Sequence, residues 1–133
     1  MIVDTSAMIA MLRGETDGPA LTRALQRFET RRISAANYVE AAIVTDGNRN
    51  PVLSRRFDNF LREGAIAIEP VTVRQAEIAR EAYRDFGKGR HRAGLNFGDC
   101  FAYALAKVTG EPLLFKGNDF RHTDIEPAEN IRD

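Results

Sequence analysis

Short apolar segments alternate with amphipathic helical segments along the chain, and this alternation limits the possible folds more than any other feature. Strand-like runs occupy residues 2–3, 32–35, 66–68 and 112–115, and Ile125 is expected to lie in a last short edge strand. Strands this short and apolar, separated by helices, are typical of a parallel sheet that is covered on both faces. We therefore predict an α/β fold with a short, mainly parallel central sheet.

The predicted helices follow from apolar spacing and from the residues at their ends. Asp4 and its polar neighbours favour a helix start, and Gly14 is expected to stop that helix after about Leu12. Asn96 caps the last helix, whose buried stripe is predicted to extend to Val108. The remaining helices are predicted over 20–28, 37–47, 52–61 and 76–86, and the glycine-rich, basic segment 87–94 is predicted to be a loop.

Composition excludes several classes of protein. A chain of 133 residues with 44% apolar residues can bury a core as one domain over 1–133. A single cysteine, Cys100, excludes an intrachain disulfide and favours a reducing, cytoplasmic setting, with Cys100 as a core residue. No segment resembles a signal peptide or a membrane span. Equal numbers of basic and acidic residues, 19 of each, argue against a protein that coats nucleic acid by bulk charge.

Four acidic residues are expected at one edge of the predicted sheet, although they lie far apart in the chain. Ligands of parallel α/β sheets bind outside the carboxyl ends of the strands. The acids that the predicted elements place there are Asp4, Glu40, Asp99 and Asp119. Neutral oxygen ligands are available beside them from Thr5, Ser6 and Asn118.

Each acid also has a purely structural interpretation. Asp4 and Asp119 could cap helices or form turns, and Asp99 could complete a capping box with Asn96. Glu40 fits such an interpretation less well, because its helical neighbours Ile43 and Val44 are apolar. An ionised glutamate on a buried apolar stripe is unfavourable unless it is paired or bound to a metal.

Taken together, the acids indicate a divalent-metal site. Carboxylates that share a site repel one another unless protons or a cation intervene. Hard oxygen ligands without histidine or thiolate favour Mg²⁺ or Mn²⁺ over zinc. Such a site can present a metal-activated water to a phosphodiester. Phosphoryl chemistry is therefore the expected reaction class.

Four segments of the chain resemble the sequence motifs of PIN-domain ribonucleases. Residues 2–6 are similar to the first motif of that family, and residues 33–40, which end in Glu40, are similar to the second. Residues 95–106 around Asp99 resemble the third motif, and residues 113–120 resemble the fourth. Together these motifs span nearly the whole chain.

This resemblance implies a three-layer α/β/α PIN-like fold and, for so short a chain, a VapC-type toxin of a bacterial or archaeal toxin–antitoxin pair. It also implies Mg²⁺- or Mn²⁺-dependent endoribonuclease activity, a homodimer and a cognate antitoxin that blocks the site. The acids of the family map onto Asp4, Glu40, Asp99 and Asp119, with Ser6 in support. We expect Asp4 and Asp99 to ligate metal directly, Glu40 to ligate metal or orient the attacking water, and Asp119 to act directly or through water.

A basic cluster lies just upstream of Asp99. It is predicted to bring the RNA backbone to the site, although a solvated charge run on a loop explains it equally well. The cluster comprises Arg84, Lys88, Arg90, His91 and Arg92.

Two other functions compete with a nuclease. The chain could be a non-catalytic PIN-like module that binds RNA or serves as a scaffold, in which case asparagine at Asp4 or Asp99 would change nothing. It could also be a metal-dependent phosphatase with an aspartyl nucleophile. Such phosphatases commonly carry a second aspartate two residues after the first, whereas Ser6 stands there in this chain.

Overall fold

A computed structural model describes residues 1–128, and the predicted alternation of strands and helices is present in them. Residues 129–133, the end of the predicted single domain, lie outside the described residues. None of the helices in residues 1–128 combines the length and the hydropathy that a bilayer span requires. In chain order, the elements are β1 (Ile2–Val3), α1 (Thr5–Leu12), α2 (Gly18–Gln26), β2 (Arg31–Ser34), α3 (Ala35–Asp46), α4 (Pro51–Glu63), β3 (Ile66–Glu69), α5 (Val73–Phe86), α6 (Phe97–Thr109), β4 (Leu113–Leu114) and a 3₁₀ helix (Asp119–His122).

The four strands form one parallel sheet in the order β3-β2-β1-β4. Strand β1 is central, and its Ile2 is in register with Arg32 of β2 and with Leu113 of β4. All four strands therefore end at the same edge, which is the edge where ligands of such sheets bind. The predicted α/β fold with a parallel sheet is confirmed.

Helices cover both faces of the sheet. Adjacent residues of a strand point to opposite faces, so each strand contributes side chains to two cores. Val3 and Leu114 pack in a core with α1, α2, α3 and α4, whereas Ile2 and Leu113 pack in a second core with α5 and α6. Cys100 is buried in this second core, as predicted. The molecule thus has the three-layer α/β/α arrangement.

Three local predictions differ from the structure. Ile125 lies in no strand, because the segment makes only a single bridge, between Leu113 and Pro127, and proline has no N–H to extend a ladder. The helix predicted over 20–28 ends at Gln26. Val108 is 46% exposed, so the buried stripe of α6 ends before it. Apolar spacing predicted a longer buried stripe than the packing of this chain covers.

Candidate active site

Asp4 follows β1 directly and is the most deeply buried acid of the predicted set, at 2% exposure. Its Oδ2 caps α1 by accepting hydrogen bonds from Ser6 N at 3.1 Å and from Ser6 Oγ at 2.5 Å. Its Oδ1 is buried and has no hydrogen-bond partner among the described residues. Buried polar atoms of proteins almost always have a partner, so this oxygen needs an explanation beyond helix capping.

Ser6 connects Asp4 to the segment that follows β4. Its Oγ donates to Asp4 and accepts a hydrogen bond from the backbone N–H of Lys116 at 3.0 Å. The chain then runs from Lys116 to the 3₁₀ helix that begins with Asp119. One hydroxyl group therefore ties the first and fourth predicted motifs together.

Glu40 lies on the second turn of α3, half-buried at the same sheet edge. Its Oε1 accepts hydrogen bonds from Thr5 Oγ1 at 2.5 Å and from Asn37 Nδ2 at 3.3 Å. The predicted apolar burial around Glu40 is wrong, because Ile43 is 68% exposed and Val44 is 38% exposed. Hydrogen bonds to its carboxylate, rather than the apolar stripe, determine where Glu40 lies.

Asp99 is the third residue of α6 and completes the capping box predicted with Asn96. The backbone N–H of Asn96 donates to Asp99 Oδ2 at 3.0 Å, and the backbone N–H of Asp99 donates to Asn96 Oδ1 at 2.9 Å. The predicted capping role of Asp99 is therefore confirmed. Capping alone does not account for the raised pKa of this carboxyl group.

Pairwise electrostatic repulsion links the carboxylates of Asp4, Glu40, Asp99 and Asp119. Burial raises the pKa of Asp4 to about 7, repulsion from Asp99 and Glu40 adds to the rise, and the hydrogen bonds from Ser6 oppose it. Burial also raises the pKa of Asp99 to about 6, against the hydrogen bond from Asn96 and with further repulsion from Asp119 and Glu40. Acids from four separate segments thus repel one another at one edge of the sheet.

Asp119 is the exposed member of this group. It begins the 3₁₀ helix, and its charge raises the pKa of Asp99. Asn118, which precedes it, is exposed and makes no side-chain capping bond. Of the predicted neutral ligands, Ser6 and Thr5 donate hydrogen bonds to the acids, whereas Asn118 is the exposed chain neighbour of Asp119.

The donor set fits a hard divalent cation that keeps part of its water shell. Within residues 1–128, no three His, Cys, Asp or Glu side chains lie close enough to ligate one ion together. Mg²⁺ commonly binds through one or two carboxylates and retains several waters, so a looser set of oxygens is compatible with it. The ion pairs that the structure describes use other acids, namely Glu15, Glu69, Asp85, Glu111 and Asp124. The unpartnered Oδ1 of Asp4 offers such a cation a buried oxygen ligand.

The basic cluster lies at the C-terminal end of α5 and on the loop that leads into α6. Lys88, Arg90 and Arg92 are exposed, and Lys88 lines a cavity together with Asn96 at the start of α6. Arg84 is paired with Asp85 at 3.6 Å. His91 has a structural role in the loop, since its Nδ1 accepts a hydrogen bond from Ala93 N at 3.0 Å.

Two residues that contact Glu40, Asn37 and Gly98, were not among the predicted site residues. Asn37 lies three residues before Glu40 on the same helical face, a spacing that brings side chains together. Gly98 stands in the first turn of α6, where a Cβ atom would collide with the Glu40 carboxylate. A glycine inside a helical pattern is less favourable than alanine and points to a packing or functional reason, and the sequence shows Gly98 in such a pattern.

Comparisons with known proteins identify the family. A family model described as PIN domain matches residues 1–126. Ribonuclease VapC28 of Mycobacterium tuberculosis is 57% identical over 133 residues, covering 99% of this chain and 100% of the relative. Ribonuclease VapC42 of the same species is 50% identical over 129 residues, covering 96% and 98%.

Two solved structures share the fold. The crystal structure of Mycobacterium tuberculosis VapC20, described as a sarcin-ricin loop cleaving toxin, superposes with a TM-score of 0.74 at 16% identity, covering 93% of this chain and 95% of that one. A toxin–antitoxin complex from Klebsiella pneumoniae superposes with a TM-score of 0.70 at 17% identity, covering 92% of each chain.

Proposed function

This chain belongs to the PIN-domain family, and from that premise we propose that it is a metal-dependent endoribonuclease toxin that hydrolyses RNA phosphodiester bonds. One observation carries the proposal: Asp4 is buried with an unpartnered oxygen and is repelled by the carboxylates of Asp99 and Glu40, which belong to two other segments. Ribonuclease activity in relatives as similar as 57% supports RNA as the substrate. The family predicted from the four motifs is confirmed.

We assign a divalent ion, Mg²⁺ or Mn²⁺, to the carboxylate group. Asp4 and Asp99 would hold it directly, Glu40 would hold it or orient a water, and Asp119 would act directly or through water. When bound, such an ion lowers the pKa of a water and stabilises negative charge on the leaving oxygen. Its charge also offsets the burial and the repulsion that raise the pKa of Asp4 and of Asp99.

Hydrogen bonds from neighbouring residues orient the carboxylates of Asp4 and Glu40 for metal binding and catalysis. Ser6 engages one oxygen of Asp4, so that the other oxygen remains available as a ligand. Thr5 donates to Oε1 of Glu40, and the Oε2 atom of this carboxylate can accept a proton from a bound water. Side chains fixed by such bonds lose little further freedom when substrate arrives.

We assign the RNA backbone to the exposed cations beside α6. Lys88, Arg90 and Arg92 lie on the loop before the helix that carries Asp99. Phosphate contacts of this kind position a nucleic acid without selecting its sequence. The cluster therefore contributes binding, whereas the carboxylates contribute chemistry.

We also propose a homodimer and a cognate antitoxin as partners. Exposed apolar side chains flank the site, including Val39 at 50%, Ile43 at 68% and Phe97 at 79% exposure. These residues line a cavity of about 310 Å³ together with Glu40 and Gly98. Contiguous exposed apolar surface often marks a protein–protein contact. Light scattering of the isolated chain, and of the chain purified with the product of a neighbouring reading frame, tests both assemblies.

RNA cleavage by the purified chain tests the proposed function. A panel of structured and single-stranded RNAs is incubated with Mg²⁺ or Mn²⁺, with EDTA, and with the Asp99→Asn variant as control. We expect cleavage only by the wild-type chain with metal. Cleavage that persists in both EDTA and the variant would contradict the proposal, and unchanged RNA binding without cleavage would favour the non-catalytic module instead.

A further inference from the structure

Gly98 leaves the space that the carboxylate of Glu40 occupies. A Cβ atom built on Gly98 would lie 2.2 Å from Glu40 Oε2 and 2.5 Å from Oε1, far inside contact distance. A helix is less stable with glycine than with alanine, so Gly98 in the first turn of α6 lowers helix stability. The space that it leaves for the carboxylate accounts for a glycine at this position. Any side chain at this position would displace the carboxylate.

Asn37 holds the same carboxylate from the other side. It is fully buried, and its Nδ2 donates to Glu40 Oε1 at 3.3 Å and to the backbone carbonyl of Gly98 at 2.9 Å. One amide group therefore connects α3, which carries Glu40, to the first turn of α6, which carries Asp99. Thr5 adds a third contact, at 2.5 Å, from the start of α1.

We infer that Gly98 and Asn37 are positioning residues that fix the Glu40 carboxylate relative to Asp99. The inference rests on the proposed function, because the position of Glu40 matters only if the carboxylates hold a metal and act on RNA. Gly98 provides the room, and Asn37 provides the directed hydrogen bond. A purely structural Asn37 would tie α3 to α6 without affecting what Glu40 does.

The Gly98→Ala variant is the sharpest test. Its backbone is helical, alanine favours that conformation, and the atoms it displaces are the far end of a long side chain rather than backbone, so the variant is expected to fold. Substitution of residues that orient metal ligands typically lowers metal affinity or activity about 10- to 100-fold. We expect losses of that size in Mn²⁺ affinity, measured by calorimetry, and in kcat for RNA cleavage, with KM for RNA little changed.

A double-mutant cycle with Glu40→Ala separates positioning from structure. Once the carboxylate is absent, Gly98→Ala has nothing to displace and should not lower Mn²⁺ affinity further. Asn37→Ala should follow the same pattern if it folds, since it acts through the same carboxylate. The side-chain amide signals of Asn37 in NMR spectra provide a readout that needs neither metal nor RNA, and they should shift in Gly98→Ala and in Glu40→Ala alike.

The outcomes are distinct. Wild-type Mn²⁺ affinity and kcat in Gly98→Ala, or an equal loss with and without Glu40, would overturn the positioning role. Unmoved Asn37 signals in Gly98→Ala would overturn it as well. A wild-type chain that neither binds Mn²⁺ nor cleaves RNA would instead overturn the proposed function, together with the role in it that we assign to Gly98 and Asn37.

Discussion

A buried charge lies at each end of β1, and the two differ in their neighbours: one is paired with an opposite charge, and the other is surrounded by like charges. Before the strand, the ammonium group of Met1 contacts Glu111 Oε1 and the carbonyl of Thr30, at 2.8 and 2.7 Å. Arg32 lies 3.3 Å from Glu111 Oε2, a distance that allows an ion pair although the alignment is not that of a hydrogen bond. After the strand, the interactions of Asp4 within residues 1–128 are repulsion from further acids and hydrogen bonds from the hydroxyl and N–H groups of Ser6.

Burial alone does not mark a functional site in this molecule. Met1 and Asp4 are both 2% exposed and are separated by a strand of two residues. At the Met1 end each charge has an opposite partner, which is what stability requires of buried ions. At the Asp4 end the charges accumulate with one sign, which destabilises the metal-free protein and suits a cation.

Removing one acid at the Asp4 end should have the largest effect. Asp99→Asn keeps the size of the side chain but removes a charge from the proposed metal site. Metal stabilisation of the transition state contributes several kcal/mol, so kcat should fall about 100- to 1000-fold. Single-turnover cleavage of RNA measures the loss, and a decrease of less than threefold would remove Asp99 from the machinery.

Metal should stabilise the fold only through the Asp4 end. At a concentration 100 times its Kd, a ligand that binds only the folded state contributes about 2.7 kcal/mol, or roughly 10 °C in Tm for a chain of this size. Thermal unfolding with and without Mn²⁺ measures the shift. Asp4→Asn should lose most of it, whereas Glu111→Gln should retain it.

The metal-free protein should become less stable as pH rises. A carboxyl group whose pKa is higher in the folded state contributes stability that is complete below its unfolded value and is lost as pH rises through the folded value. For Asp4 this window runs from 3.8 to about 7, and for Asp99 from 3.8 to about 6.

Asp4→Asn isolates this effect, because asparagine also caps helices well. In EDTA at pH 8 the variant should be more stable than wild type by roughly 4 kcal/mol, and at pH 4 the two should be nearly equal. Urea unfolding at both values checks the difference. A gap that does not change with pH would show that the charge of Asp4 is not the cause.

Glu111→Gln should affect the paired end alone. It leaves the buried ammonium group of Met1 without its opposite charge, and we expect a loss of about 1 kcal/mol in the free energy of unfolding. Activity per folded molecule should stay unchanged. Denaturant unfolding and RNA cleavage together measure the two effects, and a large fall in kcat would mean that the two ends are not independent.

Lys88→Ala and Arg90→Ala should have the smallest effects. Both side chains are exposed on the loop before α6, so their loss should raise KM for RNA a few-fold and leave kcat nearly constant. Each lost phosphate contact should also reduce the salt dependence of binding by about 0.7 in the logarithmic slope for single strands. Lys107→Ala, on the far part of α6 and paired with Asp124, is the matched control.

The sequence predicted the parallel sheet and the four acids because both depend on local patterns and on a general property of parallel sheets. The apolar runs at 2–3 and 113–114 have few structural alternatives to a buried strand, and the carboxyl ends of parallel strands must meet at one edge of the sheet. The cap of Asp99 was predictable for the same reason, since a capping box is contained within four residues.

What the sequence could not reveal depends on packing between distant segments. Ile43 belongs to an apolar helical stripe that looks in sequence like the stripe of a buried helix. Only the tertiary structure shows that no part of residues 1–128 covers it. The bond between Asn37 and the carbonyl of Gly98 joins residues 61 positions apart. Neither residue has a local pattern that names its partner.

Calorimetric titration of the wild-type chain and of Asp4→Asn with Mn²⁺ at pH 7 shows whether these carboxylates bind a divalent ion. Because the pKa of Asp4 is about 7, a bound cation should displace protons from the carboxylate group, and the heat should change with the ionisation enthalpy of the buffer. We predict saturable binding with proton release for wild type, and binding at least 10-fold weaker with little release for Asp4→Asn. Equal affinity and equal proton release in the two proteins, or no binding to either, would contradict the claim that these carboxylates form a metal site.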